Sequence, residues 1–511
     1  MSNHHGTVAV AKRSLGHFAL GRLVSAVVGI ATLLLLVRAL GRSDYGFYIA
    51  LLAAFEIAQL AASPGAYAIA FRYLPEVRSA GQGRALGRLV AGLSAYRMLT
   101  LALCAALAAS LAQPLATMIG SPQQAAAVRL FAWVLVFEGM ARFIDVQFES
   151  MMQQGLAQVS VLARNAAKLI ALVVASDLGN NEIELTHWLS LEALTSGLGA
   201  SVSCLLLVHH LRRRWREGDH ESAHLPVWRF TRFAVPTYLS QVIYLCSGTE
   251  MVKLLVSKLV GTAFTAAFGF AAALAGTIQR YLPSFLLIGW VRPLFITARQ
   301  QGRPHDELVD LAGTVIKLNL LFLAPIASLL CVAGAEVVQL LAGGRMADSL
   351  LYLYFFLVLL VMQTVRALMA LLGMTLEVGS GSLIATCVSV AGLIAGIIAY
   401  PTYGIWALAA GLLLSEALWS VVMAVYLRRL GMHCRLPWIG LGKFVAAATL
   451  PWLCIEFILR AAFDEVHPWM VLVGGALAGI LCLGLAAALR PFAPQERTLI
   501  NRLLPARLFI W

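Results

Sequence analysis

Apolar runs long enough to cross a bilayer recur along almost the whole chain, and they leave few folds open. A helical span needs about 20 such residues. They fall near 15–37, 45–70, 88–111, 125–148, 157–176 and 187–210, then near 231–257, 262–291, 308–333, 349–373, 381–400 and 404–427, and finally near 441–461 and 468–490. The 511 residues are 60% hydrophobic and 12% charged, against about 25% charged in a soluble domain. The fold class is therefore an all-α polytopic membrane protein with about fourteen transmembrane helices. The first run, from Ser14 to about Ala39, is longer than the apolar part of a secretion signal and reads as an anchor helix.

One polar stretch interrupts the pattern. Leu211 to Trp228 holds Arg212, Arg213, Arg214 and Arg216, then Glu217, Asp219 and Glu221, and Pro226 forbids helix continuation. It divides the chain into a six-helix lobe over 1–211, a hinge over 212–228, a second six-helix lobe over 229–430, and two further helices with a tail over 431–511. Basic residues cluster in alternate connections: Arg72 to Arg88, Arg212 to Arg216, Arg292 to Arg303, Arg428 to Arg435, and the tail. Positive charge resists translocation, so these sides, and both termini, are expected in the cytoplasm. Arg38 and Arg42, on the opposite side, are the exception.

The same loop bias accounts for a net charge of +13; no basic face interleaved with aromatics points to nucleic acid. Eight scattered cysteines form no C-x-x-C pair, and the adjacent histidine pairs His4-His5 and His209-His210 lack metal spacing. No metal, cofactor or catalytic residue is expected.

The two lobes resemble each other. His17-Phe-Ala-Leu-Gly opens the first helix and Arg232-Phe-Ala-Val-Pro the seventh; Arg38-Ala-Leu-Gly41 closes one as Lys258-Leu-Val-Gly261 closes the other. Such repeats are common in transporters, whose substrate path runs between halves. The run from Leu20 to Glu76, with Arg38-Ala-Leu-Gly41, Asp44-Tyr-Gly-Phe-Tyr48, the break Ser63-Pro-Gly65 and Arg72-Tyr-Leu-Pro75, resembles the polysaccharide transporter family of the multidrug/oligosaccharidyl-lipid/polysaccharide (MOP) flippase superfamily. The resemblance implies a V-shaped pair of six-helix bundles plus two C-terminal helices. Its implied cargo is an oligosaccharide on a polyprenyl diphosphate, moved across a bacterial inner membrane amid membrane lipid, with a polysaccharide polymerase and co-polymerase as further partners.

Charge inside a span costs about 2.5–3.5 kcal/mol per residue, so each instance invites a functional reading. In the fourth span Glu138, Arg142, Asp145 and Glu149 share one helical face, and the fifth answers with Arg164 and Lys168 one turn apart. This is either an ion-pair ladder or a cavity lining with a surplus guanidinium turned to the lumen. Arg22, Arg97, Arg280 and Arg366 are further candidates for binding an anionic cargo, and Glu250 and Lys253 share a face of the seventh span. Lys258 and Lys317 are expected to snorkel, while Glu56 and Glu416 are candidates for carboxyls that stay protonated in the bilayer.

The basic mid-span residues favour an anionic cargo, and the resemblance implies a flippase for a lipid-linked oligosaccharide, serving exopolysaccharide or O-antigen export. A drug/cation antiporter of the same superfamily is the alternative, since a cationic cargo calls for lone acids. A membrane polymerase enzyme ranks lower, because the loops are short and carry no catalytic constellation.

Overall fold

The computed structural model describes residues 21, 24–79, 83–178, 183–217, 227–286, 305–375, 379–433, 437–462 and 467–503. The hinge residues 218–226 and the first twenty residues lie outside this set. Among the described residues regular structure is helical throughout.

The chain divides by packing into two units, Met1–Ala266 and Ala267–Trp511. The first unit starts with α1 (Val24–Ala39) and a bent pair, α2 (Arg42–Ala61) and α3 (Ala66–Ser79), which together make one span broken by 57°. Pro64 removes a backbone donor at the break, and Gly65 takes φ +74°, a conformation that side chains disfavour. After α4 (Gly83–Ser110) and the short α5 (Ala112–Ile119) come α6 (Ala125–Ser150), α7 (Gln154–Leu178) and α8 (Leu185–Glu217). The helix α8 runs through Arg212, Arg213, Arg214 and Arg216 to Glu217, since arginine is a good helix former. Then α9 (Val227–Leu245) and α10 (Thr249–Leu259) complete the unit with the first turn of α11 (Thr262–Tyr281). Here α10 packs on α2 and α5, and α9 on α3.

The second unit holds the rest of α11, then α12 (Pro283–Leu286), α13 (His305–Ala342), α14 (Ser349–Thr375), α15 (Gly379–Tyr403), α16 (Ile405–Arg429), α17 (Trp438–Ala462), α18 (Pro468–Leu489) and the amphipathic α19 (Pro494–Leu503). A break at Leu282 separates α11 from α12. Pro64 and Pro283 lie 219 residues apart, within the offset of the sequence repeat.

By length and composition eleven helices cross a membrane, or twelve with the bent pair counted as one. The described part of the first anchor, α1, is a shorter apolar helix, and α6 is 26 residues long with a charged face. Among the described residues helices thus stand at the places of the fourteen expected runs, eleven or twelve of them long and apolar enough to span.

Small residues set the tightest packing. A side-chain carbon at Gly392, Gly396 or Gly411 would strike the backbone of the facing helix, so α15 and α16 meet almost in direct contact. On α18, Gly475 and Gly479 lie against Leu329, Ala333 and Pro325 of α13. The glycine-rich eleventh and fourteenth spans are therefore packing helices. The core of α13, α17 and α18 is closed by buried Phe444, Cys482, Ala486 and Phe492, the two rings 5.9 Å apart edge to face.

Candidate functional site

The first unit carries a cluster of charge on α6, α7 and α8, with one arm on α2. Four-residue spacing on α6 brings Glu138 and Arg142 onto one face, where Arg142 Nε donates to Glu138 Oε1 at 3.1 Å. The α6–α7 turn is short, from Ser150 to Gln154, so residues equally far from it lie at one depth. Asp145 and Arg164 accordingly meet, Nη2 to Oδ2 at 2.6 Å. Ser160 joins them: its hydroxyl donates to Asp145 Oδ1 at 2.6 Å and accepts from Arg164 Nη1 at 2.9 Å.

One turn further along α7, Lys168 Nζ sits between two carboxylates. It lies 3.1 Å from Glu138 Oε2 and 3.3 Å from Glu192 Oε1. Glu138 is the hub, since Arg142, Lys168 and, at 3.8 Å, Arg164 all approach it. Tyr48 of α2 donates to Glu192 Oε1 at 3.1 Å. The methylenes of Arg164 cross Gly199 on α8, where any side-chain carbon would collide with them.

Exposure rises from one end of this cluster to the other. The Arg164 side chain is 5% exposed and Glu138 9%, whereas Arg142 is 41% and Glu56 44% exposed. Arg142 Nη1 reaches Glu56 Oε1 at 2.7 Å, and its guanidinium lies 4.8 Å from the centre of the Phe55 ring. The cluster has a buried root, where carboxylates and bases are ion-paired, and an outer edge formed by Arg142 and Glu56.

Arg97 stands beside this cluster at the α2–α3 break. It is wholly buried, donates through Nη2 to Gln59 Oε1, and lies over the rings of Tyr67 at 5.3 Å and Phe143 at 6.0 Å. Its Nε and Nη1 have no hydrogen-bond partner among the described residues. Gln59 also ties α2 to α6 by donating to the Leu135 carbonyl at 3.1 Å.

Several expectations change. The cluster's surplus is not a guanidinium: four carboxylates (Glu56, Glu138, Asp145, Glu192) face three bases (Arg142, Arg164, Lys168) among the described residues. Glu56 and Glu416 do not stand alone: Glu56 pairs with Arg142 and Glu416 Oε2 receives Arg366 Nη1 at 3.1 Å. Arg366 also lies over Trp419, 4.6 Å from its ring. Lys317 does not snorkel freely: Glu496 of α19 holds its Nζ at 2.8 Å. Lys253 pairs with Glu250 on its own helix at 2.8 Å. Lys258, at the end of α10, is exposed and donates to the Thr117 carbonyl at 3.1 Å. Glu149 and Arg280 are exposed near the ends of α6 and α11, and Arg22 lies outside the described residues.

Sequence reasoning passed over Glu192. Its signal was available, as an acid alone in the apolar run from Leu185 to Val208. Ser160 and Gln59 had no such signal, because small polar residues are ordinary in spans.

In the second unit Asn319 of α13 holds the α11–α12 break. Its Oδ1 accepts the Ser284 backbone N–H at 2.8 Å, and its Nδ2 donates to Ser284 Oγ at 2.6 Å and Thr364 Oγ1 at 2.9 Å. No group of three or more metal-ligating side chains occurs among the described residues.

No family model and no curated protein matches the sequence. Solved structures do. A lipid II flippase, MurJ, in an inward closed conformation superposes with TM-score 0.67 at 13% identity, covering 94% of this chain and 99% of its own. The fold is that of the MOP flippases. An inward-facing multidrug resistance transporter of the MATE family follows with TM-score 0.61 at 12% identity, covering 79% of this chain and 94% of its own. The MATE multidrug transporter DinF-BH, in complex with R6G, gives 0.56 at 14% identity, covering 83% and 96%. These MOP-fold neighbours are transporters and flippases, and the chain is a multi-pass membrane protein of that architecture.

Proposed function

We propose that this MOP-fold protein is a flippase for an anionic lipid-linked cargo, an oligosaccharide on a polyprenyl diphosphate, moved outward across a bacterial inner membrane by alternating access. The observation that carries the reading is an asymmetry of pairing. Among the described residues each of the four buried carboxylates, Glu138, Asp145, Glu192 and Glu416, has a basic partner, whereas buried Arg97 has no acid. A transporter of cations calls for the opposite, an acid without a base. Arg142 adds a guanidinium held from behind by Glu138 and met in front only by the half-exposed Glu56, and such a group suits the oxygens of a diphosphate.

Two further points support the reading. The lipid II flippase aligns over 94% of this chain, more than the 79% and 83% that the two MATE transporters cover. A membrane potential of about 100 mV, negative inside, favours outward passage of two negative charges by about 4.6 kcal/mol, so no coupling ion is required energetically. The drug/cation antiporter shares the fold and is the competing reading.

Proteoliposomes decide between them. A fluorescent polyprenyl-diphosphate sugar should become accessible on the far leaflet with the wild-type protein, and Arg142→Gln should stop this with normal protein content. Efflux of a cationic dye that Arg142→Gln leaves intact, without lipid translocation by the wild type, would establish the antiporter instead.

A further inference from the structure

Arg142 has two carboxylate partners of opposite character. Glu138 is buried, bound also by Lys168, and belongs to the root of the cluster. Glu56 is 44% exposed, and its only ion pair among the described residues is with Arg142. An exposed pair contributes little, because each group is nearly as well served by water; a buried pair is costly to break, because it strands a charge. Of the two contacts, only the one to Glu56 can be exchanged cheaply.

The charge count points the same way. With Glu56 in place the cluster holds four carboxylates against three bases; without it the remainder, Arg142 included, is matched three to three. Glu56 is the one acid that the cluster does not need for neutrality. Its Oε1 also stands 2.7 Å from Nη1, at the open edge of the guanidinium, where a phosphate oxygen would have to stand. Phe55, the preceding residue, stacks on the same guanidinium and keeps its plane fixed whether or not the carboxylate remains.

We infer that Glu56 is a displaceable counter-anion: it occupies the phosphate position on Arg142 in the unloaded protein and must swing aside when an anionic cargo binds. It thereby sets the affinity threshold for the cargo, and a singly charged anion, which offers no more than the carboxylate does, is refused. The inference rests on the proposed function, since it presumes that Arg142 takes a phosphate group.

The test is calorimetric titration of inorganic pyrophosphate and of farnesyl diphosphate into the purified full-length protein in detergent, for the wild type, Glu56→Gln, Arg142→Gln and the double variant. Glu56→Gln should tighten binding by about two- to five-fold, the span of one exposed ion pair, and should keep the wild-type elution profile on size exclusion. Arg142→Gln should weaken binding about ten-fold or more, and adding Glu56→Gln to it should change nothing further. Tightening seen with farnesyl diphosphate, with or without pyrophosphate, marks a lipid-linked source; tightening with pyrophosphate alone marks a free one. If Glu56→Gln binds as the wild type does or more weakly while Arg142→Gln loses affinity, the displacement is overturned and the flippase reading stands. If Arg142→Gln binds like the wild type, both fall.

Discussion

Arg164 and Asp145 allow the sharpest separation of a structural from a transport role. Both side chains are nearly closed off, at 5% and 10% exposed, and they meet at 2.6 Å with Ser160 bridging the second oxygen. Replacing Arg164 by Gln leaves a carboxylate buried without its cation, which costs about 3–5 kcal/mol, about a hundredfold or more in the ratio of unfolded to folded forms. Glu138 is left with two bases instead of three, which adds a smaller loss of the same sign. Replacing Asp145 by Asn and Arg164 by Gln together removes both charges and keeps hydrogen-bonding amides at similar size, so the pair should lie within about 1–2 kcal/mol of the wild type. The assay is the amount of folded protein in the membrane, read from a fluorescent fusion, together with the thermal midpoint in detergent. The single variant should be depleted and the double variant restored, in abundance and in lipid translocation. A double variant as depleted as the single would show that the pair is not self-contained. A single variant that is stable but inactive would move Arg164 out of the framework and into contact with cargo.

Asn319→Leu should lower the thermal midpoint and loosen the α11–α12 break, because it strands the buried Ser284 N–H at about 1–3 kcal/mol; hydrogen exchange over 279–286 faster than in the wild type checks this. With the native cysteines replaced, an impermeant thiol reagent on intact cells should label Asn181→Cys and spare Ser222→Cys; the reverse pattern would invert the orientation.

The fold was legible in the sequence because bilayer-length apolar runs admit little else. The bend in the second span was legible too, since Ser63-Pro64-Gly65 combines a missing donor with a position requiring positive φ. The end of α8 was not, because arginines signal cytoplasm by their charge while continuing a helix by their propensity. Within the cluster, Asp145 and Arg164 could be matched from their equal distance to the α6–α7 turn. Partners from distant segments could not: Glu56 is 86 residues from Arg142, and Glu416 is 50 from Arg366. Spacing along one helix, or across one hairpin, carries no information about which third helix packs against it. For the same reason Glu56 and Glu416 looked solitary in the sequence.

The bond between Lys317 and Glu496 bears on how the protein is made. Lys317 enters the membrane on α13, and the carboxylate that neutralises it follows 179 residues later. Throughout synthesis of α14 to α18 the ammonium must therefore be kept near water or lent a temporary partner. A ribosome that stalls, or a protease that trims the chain before Glu496, leaves a span carrying an unmatched charge, a mark by which membrane quality control can recognise an unfinished molecule. Neutralisation of Lys317 thus comes late in translation, and a reporter fused upstream of α19 should be cleared faster than one fused after it.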